Sequence, residues 1–390
     1  MAAHSGANVE SRDLEFSFDL GNTVKSWKGS PTTNIIAAAG KDCSAEYSGS
    51  SYPFVSQNIT SGVRAAWSST NNTFAMQFEG YRDYVSGGSG GGNDGYPVMY
   101  IYFTDWSWAS TIGITSYDWS YKSKTFTMPD PSTKTVYFAI YHMNSGNRGR
   151  SYARNFQIEQ SNFVTPFVDG TRSNTEAIKD ITGKRSISPV DLEYTSSNTF
   201  RFNGIGERDG SPLGSYIPLD GAVTTTFPSD KPDGVTYDIW LRADTDAPDR
   251  MGLLVGSGTI NHIELYSSSK FFRTEAVTQN GYSFGAGGFP DSCRGVWSNF
   301  TIVFANDEPN RPVRWYQNGE LFHTHSNMGS GNDINQYFRP TRLGSATGSA
   351  SYLYAESFKG DISVFRVYDK TLPEKTIKRN FEALRARHDL

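Results

Sequence analysis

Only two of the 390 residues are cysteine and six are histidine, too few for a disulfide framework. Cys43 and Cys293 stand far apart, and neither has neighbours at metal-ligand spacing. They are read as two separate buried thiols. The histidines form no ligand pattern, and His323 and His325 fall on one face of an expected strand. Charge is scarce too: 19% of residues, 36 basic against 40 acidic, with no block of one sign. That excludes the basic stripe of a nucleic-acid binder. Apolar runs stop after a few residues, far short of the roughly 20 that cross a bilayer. The start, MAAHSGANVESRDLEF, lacks a basic stretch followed by an apolar one. This predicts a chain without a Sec leader, made and folded in a cytoplasm.

Aromatics and glycine are abundant, at 14% and 38 residues. This is the composition of packed strands joined by tight turns. Phe74, Met76 and Phe78 alternate with small or polar residues; Phe126 and Met128 do so against Thr125 and Thr127. VYFAIYH at 136–142 is β-branched and aromatic. Period-2 patterning predicts half-buried strands throughout. In 358–372, Ile362, Val364 and Arg366 are expected on one face, Phe365 and Val367 on the other. Asn318-Gly319 between two strand-like runs predicts a type I′ hairpin. One short C-terminal helix is expected, with Ile377, Phe381 and Leu384 at helical spacing and Pro373 in its first turn. SGGSGGGNDG (86–95) and 328–336 read as loose loops, and Asp169 to Ser188 as a polar connection. The length fits two or three domains.

Four pieces occur in order: VTYDIWLRA (235–243), VWSNFTIVF (296–304), RWYQNGELF (314–322) and FKGDISVFRVYDKTLPEKTIKRNF (358–381). The set resembles a concanavalin A-like (laminin-G-like) jelly-roll domain over roughly 190–390. YDWSYKSKTFTMPDPSTKTVYFAIYHMN (117–144) followed by YARNFQIEQ (152–160) is similar to the end of a carbohydrate-binding-module-like jelly roll. The segments 163–173 and 17–34 are similar to joints of tailed-phage virion proteins. In concanavalin A-like virion domains a segment like 14–34 runs directly into one like 179–204; here about 140 residues intervene. The resemblance therefore implies an all-β chain of two jelly-roll β-sandwiches with one short C-terminal helix. The first comprises 1–34 plus 170–390, and the second, 35–169, is inserted into it. A simple tandem is the alternative.

A glycosidase needs two carboxylates across a cleft, about 5 Å or about 6.5–9.5 Å apart. The Glu-x-Asp-x-x-Glu run of glucanase relatives is missing. The nearest acids are Asp105 and Asp118 in one module, and Asp238, Glu264 and Asp361 in the other. The glycine run 87–92 lacks a following helix or lysine, so it makes neither a G-x-S-x-G nucleophile elbow nor a phosphate-cradling loop. No catalytic residue, metal ligand or cofactor is assigned. Calcium stays open, since the loops 92–95 and 331–333 carry oxygen donors that are also ordinary turn formers.

Sugars present apolar faces that stack on aromatic rings. In FTDWSWAS (103–110), Trp106 and Trp108 share one face if the segment is extended, and Asp105 and Arg148 supply hydrogen bonds. Tyr141 and Tyr152 are rim candidates. The competing reading puts one or both Trp in the sandwich core or in the contact between modules; Trp240, Trp297 and Trp315 are also expected in a core. The resemblance implies a non-enzymatic virion structural protein: a tail-fibre, baseplate-associated or capsid-decoration component. Its partners would be neighbouring virion proteins and host surface glycans, with self-association open and no nucleic acid or membrane insertion. A stand-alone lectin module is the alternative, and a glycoside hydrolase a weaker one.

Overall fold

The computed structural model describes residues 9–22, 25–37, 43–47, 53–84, 95–143, 149–195, 199–205, 214–219, 233–256, 261–276, 283–286, 288–325, 340–345 and 356–390. The runs 86–94 and 328–336, the loop 331–333 and Arg148 lie outside these residues. Internal contacts divide the chain into two units. One is built from 1–28 with 174–390, the other from 29–173.

The 29–173 unit is a sandwich of two four-stranded antiparallel sheets. One runs Cys43–Tyr47, Gly149–Gln160, Thr73–Tyr84, Ser120–Thr127; the other runs Pro53–Asn58, Val136–Met143, Tyr96–Phe103, Ala109–Gly113. Alternation decides what is inside. Phe74, Met76 and Phe78 meet Met99, Ile101 and Phe103 of the facing sheet, together with Val136, Phe138 and Ile140. Each such side chain contributes roughly 1.5–3 kcal/mol of apolar burial. The Gly149–Gln160 strand keeps Ala153, Phe156 and Ile158 inward despite uneven spacing. A bulge with Asn155 at φ 52° resets its register. Thr60–Ala66 forms a helix that the sequence reading did not anticipate. Only Val63 of its seven residues is buried, so it carries almost no apolar periodicity.

The second unit packs an eight-stranded sheet on a seven-stranded one. The spine of the first is Lys359–Tyr368. One edge of it pairs with Val235–Ala243. The other edge is shared: Phe200–Asn203 pairs with its first half and Leu14–Asp19 with its second. The expected face assignment needs correction here. Ile362 lies with Phe365 and Val367 in the inter-sheet core, not with Val364 and Arg366. The cause is a register shift: Trp240 pairs with Val364 but Leu241 with Ile362, so Ser363 is skipped. One extra residue flips everything that follows.

The 169–188 segment, read as a polar connection, is packed. The buried Asp180 accepts hydrogen bonds from the Ser17, Thr182 and Arg185 amides, and Asn174–Ala177 forms a short helical turn. Asn318 and Gly319 sit at φ 51° and 80° and join Val313–Gln317 to Glu320–His325 in the expected tight turn. The C-terminal helix is Glu374–Glu382, with Pro373 one position earlier than expected, at the N-cap. Ile377 packs with Val303, Tyr316 and Tyr368. Phe381 and Leu384 pack on Trp240 and Val364, covering part of the eight-stranded sheet's outer face.

Candidate functional site

The exposed face of one sheet in the 29–173 unit is an aromatic surface. In Tyr96–Phe103 the odd residues fill the core, so Tyr100 and Tyr102 point out. In Val136–Met143 the same rule turns out Tyr137 and Tyr141. Register then places Tyr102 opposite Tyr137 and Tyr100 opposite the small Ala139. On the other side stand Ala109 and Thr111. Small neighbours leave room for rings to lean together: Tyr100 meets Tyr141 edge-on at 5.1 Å. Burial, with the Tyr102 hydroxyl beside it, pushes the Tyr141 phenol up to about 12. The Tyr141 phenol therefore stays protonated at neutral pH and can donate a hydrogen bond.

Trp106 completes the surface. Its ring lies parallel to Tyr102, centroids 4.3 Å apart and planes 11° off, and meets Tyr100 edge-on at 6.2 Å. It remains 55% exposed, so the face turned away from Tyr102 is open to a ligand. The segment is a tight turn, with Trp106 at φ 56° and its amide donating to the Phe103 carbonyl. A left-handed non-glycine residue is held only by its surroundings. Asp105 supplies them, accepting from the Ser107 amide at 3.1 Å, the Ser107 hydroxyl at 2.7 Å and Lys134 Nζ at 2.5 Å. The Lys134 contact foremost, then Ser107, holds its carboxyl well below the usual range.

Two of the sequence-derived expectations therefore part company. Trp108 does not share a face with Trp106, because the chain between them turns instead of extending. Its ring packs on Phe103 at 5.4 Å and Phe126 at 5.7 Å, against the core. Trp106 and Tyr141 fall on the aromatic surface, each in contact with Tyr100. Asp105 is nearby as the brace of the turn, and its oxygens are occupied. The reading missed Tyr100, Tyr102 and Tyr137. The signal was present in YPVMYIYF and VYFAIYH, where tyrosines recur at even spacing. Tyr152 belongs to the opposite sheet. It stacks on Tyr81 at 4.2 Å and 1°, while Arg154 lies over the neighbouring Trp119 at 3.9 Å. Each of these rings has one face taken by a neighbouring ring or by the guanidinium, and Trp119, 42% exposed, is less open than Trp106.

The three acids weighed for bond cleavage in the concanavalin A-like unit are each engaged. Glu264, fully buried, is gripped by Arg250 through two bonds of 2.8 Å. Asp238 accepts from Arg366 at 2.9 Å and from Asn299 at 2.5 Å. Asp361 accepts from Arg242 at 2.7 Å. Among the described residues no group of three or more His, Cys, Asp or Glu is placed to hold a metal ion. Burial pushes the Cys293 thiol up to about 12, away from reactivity.

Residues 215–378 match the family model described as the concanavalin A-like lectin/glucanases superfamily. No curated protein matches the chain. Among solved structures, the CBM40 of the Ruminococcus gnavus IT-sialidase bound to α2,3-sialyllactose is 18% identical with a TM-score of 0.33, over 47% of this chain and 98% of its own. The botulinum neurotoxin serotype C1 binding domain is 13% identical with a TM-score of 0.38, over 54% of this chain and 50% of that one. A Trypanosoma rangeli sialidase mutant displaying trans-sialidase activity is 11% identical with a TM-score of 0.35, over 54% of this chain and 31% of that one. Likenesses of this size carry no activity across. What the sequence match shows is a likeness to that family over residues 215–378, less than half of the chain.

Proposed function

We propose that the protein is a non-enzymatic glycan-binding component of a tailed-phage virion, and that saccharides dock on the Tyr100–Tyr102–Trp106–Tyr137–Tyr141 surface. The observation that carries the glycan reading is the Trp106–Tyr102 stack. It presents one open indole face, held rigid from behind, beside phenols that can bond to ring hydroxyls. A rigid platform loses little entropy on binding. The likeness of residues 215–378 to a lectin/glucanase family supports a role with glycans. The acids engaged by arginines support a binding role over bond cleavage. The virion assignment rests on the resemblance of 17–34 and 163–173 to virion joints, and many copies on a particle would let weak sites act by avidity.

A glycan array probed with the purified chain and its Trp106→Ala variant tests the first part. Binding to defined saccharides that disappears in the variant supports the reading, and an array blank for the intact protein overturns it. The second part is tested by mass spectrometry of purified particles. A chain found in free fractions but absent from particles is a stand-alone lectin instead.

A further inference from the structure

In the other unit, the C-terminal helix and the turn after it leave one end of the eight-stranded sheet open. There a cleft of about 480 Å³ is lined by Arg201, Arg242 and Lys359, with Asp244 and Asp246. The size is that of a small-molecule site rather than of a bare inorganic ion. Its floor is a row across three neighbouring strands. Asp361 stands in register with Arg201 on one side and Arg242 on the other.

The charges balance in number but not in position. Asp361 is 1% exposed and Asp244 18%, whereas Arg201 and Arg242 each expose 37% of the side chain and Lys359 30%. The inward carboxylates are already saturated. Asp361 takes Arg242 Nη2 at 2.7 Å, Arg201 Nη1 at 3.4 Å and the Thr199 hydroxyl at 3.4 Å. Asp244 takes both bonds of Arg201 Nη2, at 2.7 and 2.8 Å. The acids hold the cations in place from behind, and the cations face the opening. Arg242 is fixed further by lying over the Trp297 ring at 5.2 Å. Its bond to Asp361 uses one Nη2 hydrogen, and no other acceptor among the described residues engages it. Among the described residues, negative charge reaches the rim from Asp246, 73% exposed and 2.7 Å from Lys359 Nζ, and, at the far side of Arg201, from the exposed Glu193 in register with it.

Donors outward and acceptors inward is the arrangement of an anion receptor, and a planar guanidinium edge matches the two oxygens of a carboxylate. We propose that this cleft binds the carboxylate of an acidic sugar, with Arg242 as its main contact and Lys359 as the second. The anion preference stands on the cleft alone; the choice of a saccharide as carrier rests on the glycan-binding reading above.

The test is an NMR titration of the full chain with glucuronate, glucose and acetate, in the wild type and in Arg242→Gln, Asp246→Ala and Trp106→Ala. Glucuronate should bind more tightly than either glucose or acetate. Arg242→Gln, which keeps a donor for Asp361, should weaken glucuronate about tenfold, the scale of one charge-assisted hydrogen bond. Asp246→Ala, at an exposed position where folding is not at risk, should tighten it severalfold by releasing Lys359. Trp106→Ala should leave it unchanged. Glucose binding as well as glucuronate, or Asp246→Ala failing to tighten it, overturns the anion site. Acetate binding as well as glucuronate overturns the sugar. A loss confined to Trp106→Ala would return the binding to the aromatic surface and remove this site.

Discussion

Trp106 and Trp108 are two residues apart, yet one ring stacks on Tyr102 outside the sheet and the other packs on Phe103 and Phe126 against the core. Their alanine variants should therefore fail differently. Trp106→Ala should leave the unfolding midpoint nearly unchanged and cost about 2 kcal/mol of saccharide binding, roughly thirtyfold in Kd. Trp108→Ala should cost about 3 kcal/mol of stability through the cavity it opens. Urea unfolding and binding measured on both variants separate the two. Equal loss of stability would show that Trp106 is a packing residue.

Arg366 is the second case. It is almost fully buried, with Asp238 at 2.9 Å and Asp19 at 3.4 Å. Asp19 also accepts from Arg387 at 2.7 Å. Removing the cation leaves the buried Asp238 without its counter-charge while Asp19 keeps Arg387, so Arg366→Ala should destabilise by about 3 kcal/mol. Replacing it together with Asp238 by apolar residues of similar volume should recover much of that loss. A double variant no better than the single one would place the cost in packing instead of charge.

These examples mark where sequence pattern is a sufficient guide. Strand alternation identified Phe74, Met76 and Phe78 as core, and Asn318-Gly319 identified its hairpin, because both signals are local. The face of Ile362 was not legible. A single skipped residue at Ser363 inverts the alternation, and nothing in the local sequence forces the skip. The turn that separates Trp106 from Trp108 depends on Asp105 meeting Lys134, a contact from another strand connection. The cleft residues Arg201, Arg242 and Lys359 come from three strands far apart in sequence, and only sheet register makes them neighbours.

His388 gives a pH prediction with a definite sign. Its ring is stacked on Trp240 at 4.4 Å and lies 4.6 Å from Trp297, with Nε2 at 3.2 Å from the Ser363 hydroxyl. Burial first, then the nearby Arg387, Arg366 and Arg242 charges, pulls its pKa down to about 3. The unfolded chain takes up this proton near the ordinary histidine value of about 6.5. The contribution is thus complete above that pH and falls as pH drops from about 6.5 toward about 3. Between pH 7 and 5 the loss from this group alone should be about 2 kcal/mol. His388→Gln should flatten the dependence of the urea midpoint on pH over that window. A slope unchanged by the substitution would assign it to the carboxylates.

The last prediction concerns the way the chain is divided. The 1–28 segment is tied to the long C-terminal part. Leu14–Asp19 pairs along Lys359–Tyr368, Trp27 bridges Ile178, and the Lys28 amide donates to the Ala177 carbonyl at 2.8 Å. The two ends of the 29–173 segment thus leave from one place, and a short Gly-Ser bridge from Lys28 to Asn174 should span them without strain. Shortening that loop also lowers the chain entropy of the unfolded state, a modest stabilising effect. The bridged protein should be monodisperse and unfold cooperatively. Deleting 1–173 should behave otherwise. It strips half an edge of Lys359–Tyr368, leaves Arg366 without Asp19, and exposes unpaired backbone that recruits other chains. Size-exclusion chromatography and thermal unfolding of both deletions decide the matter, and equal behaviour of the two would mean that the first 28 residues do not belong to this fold.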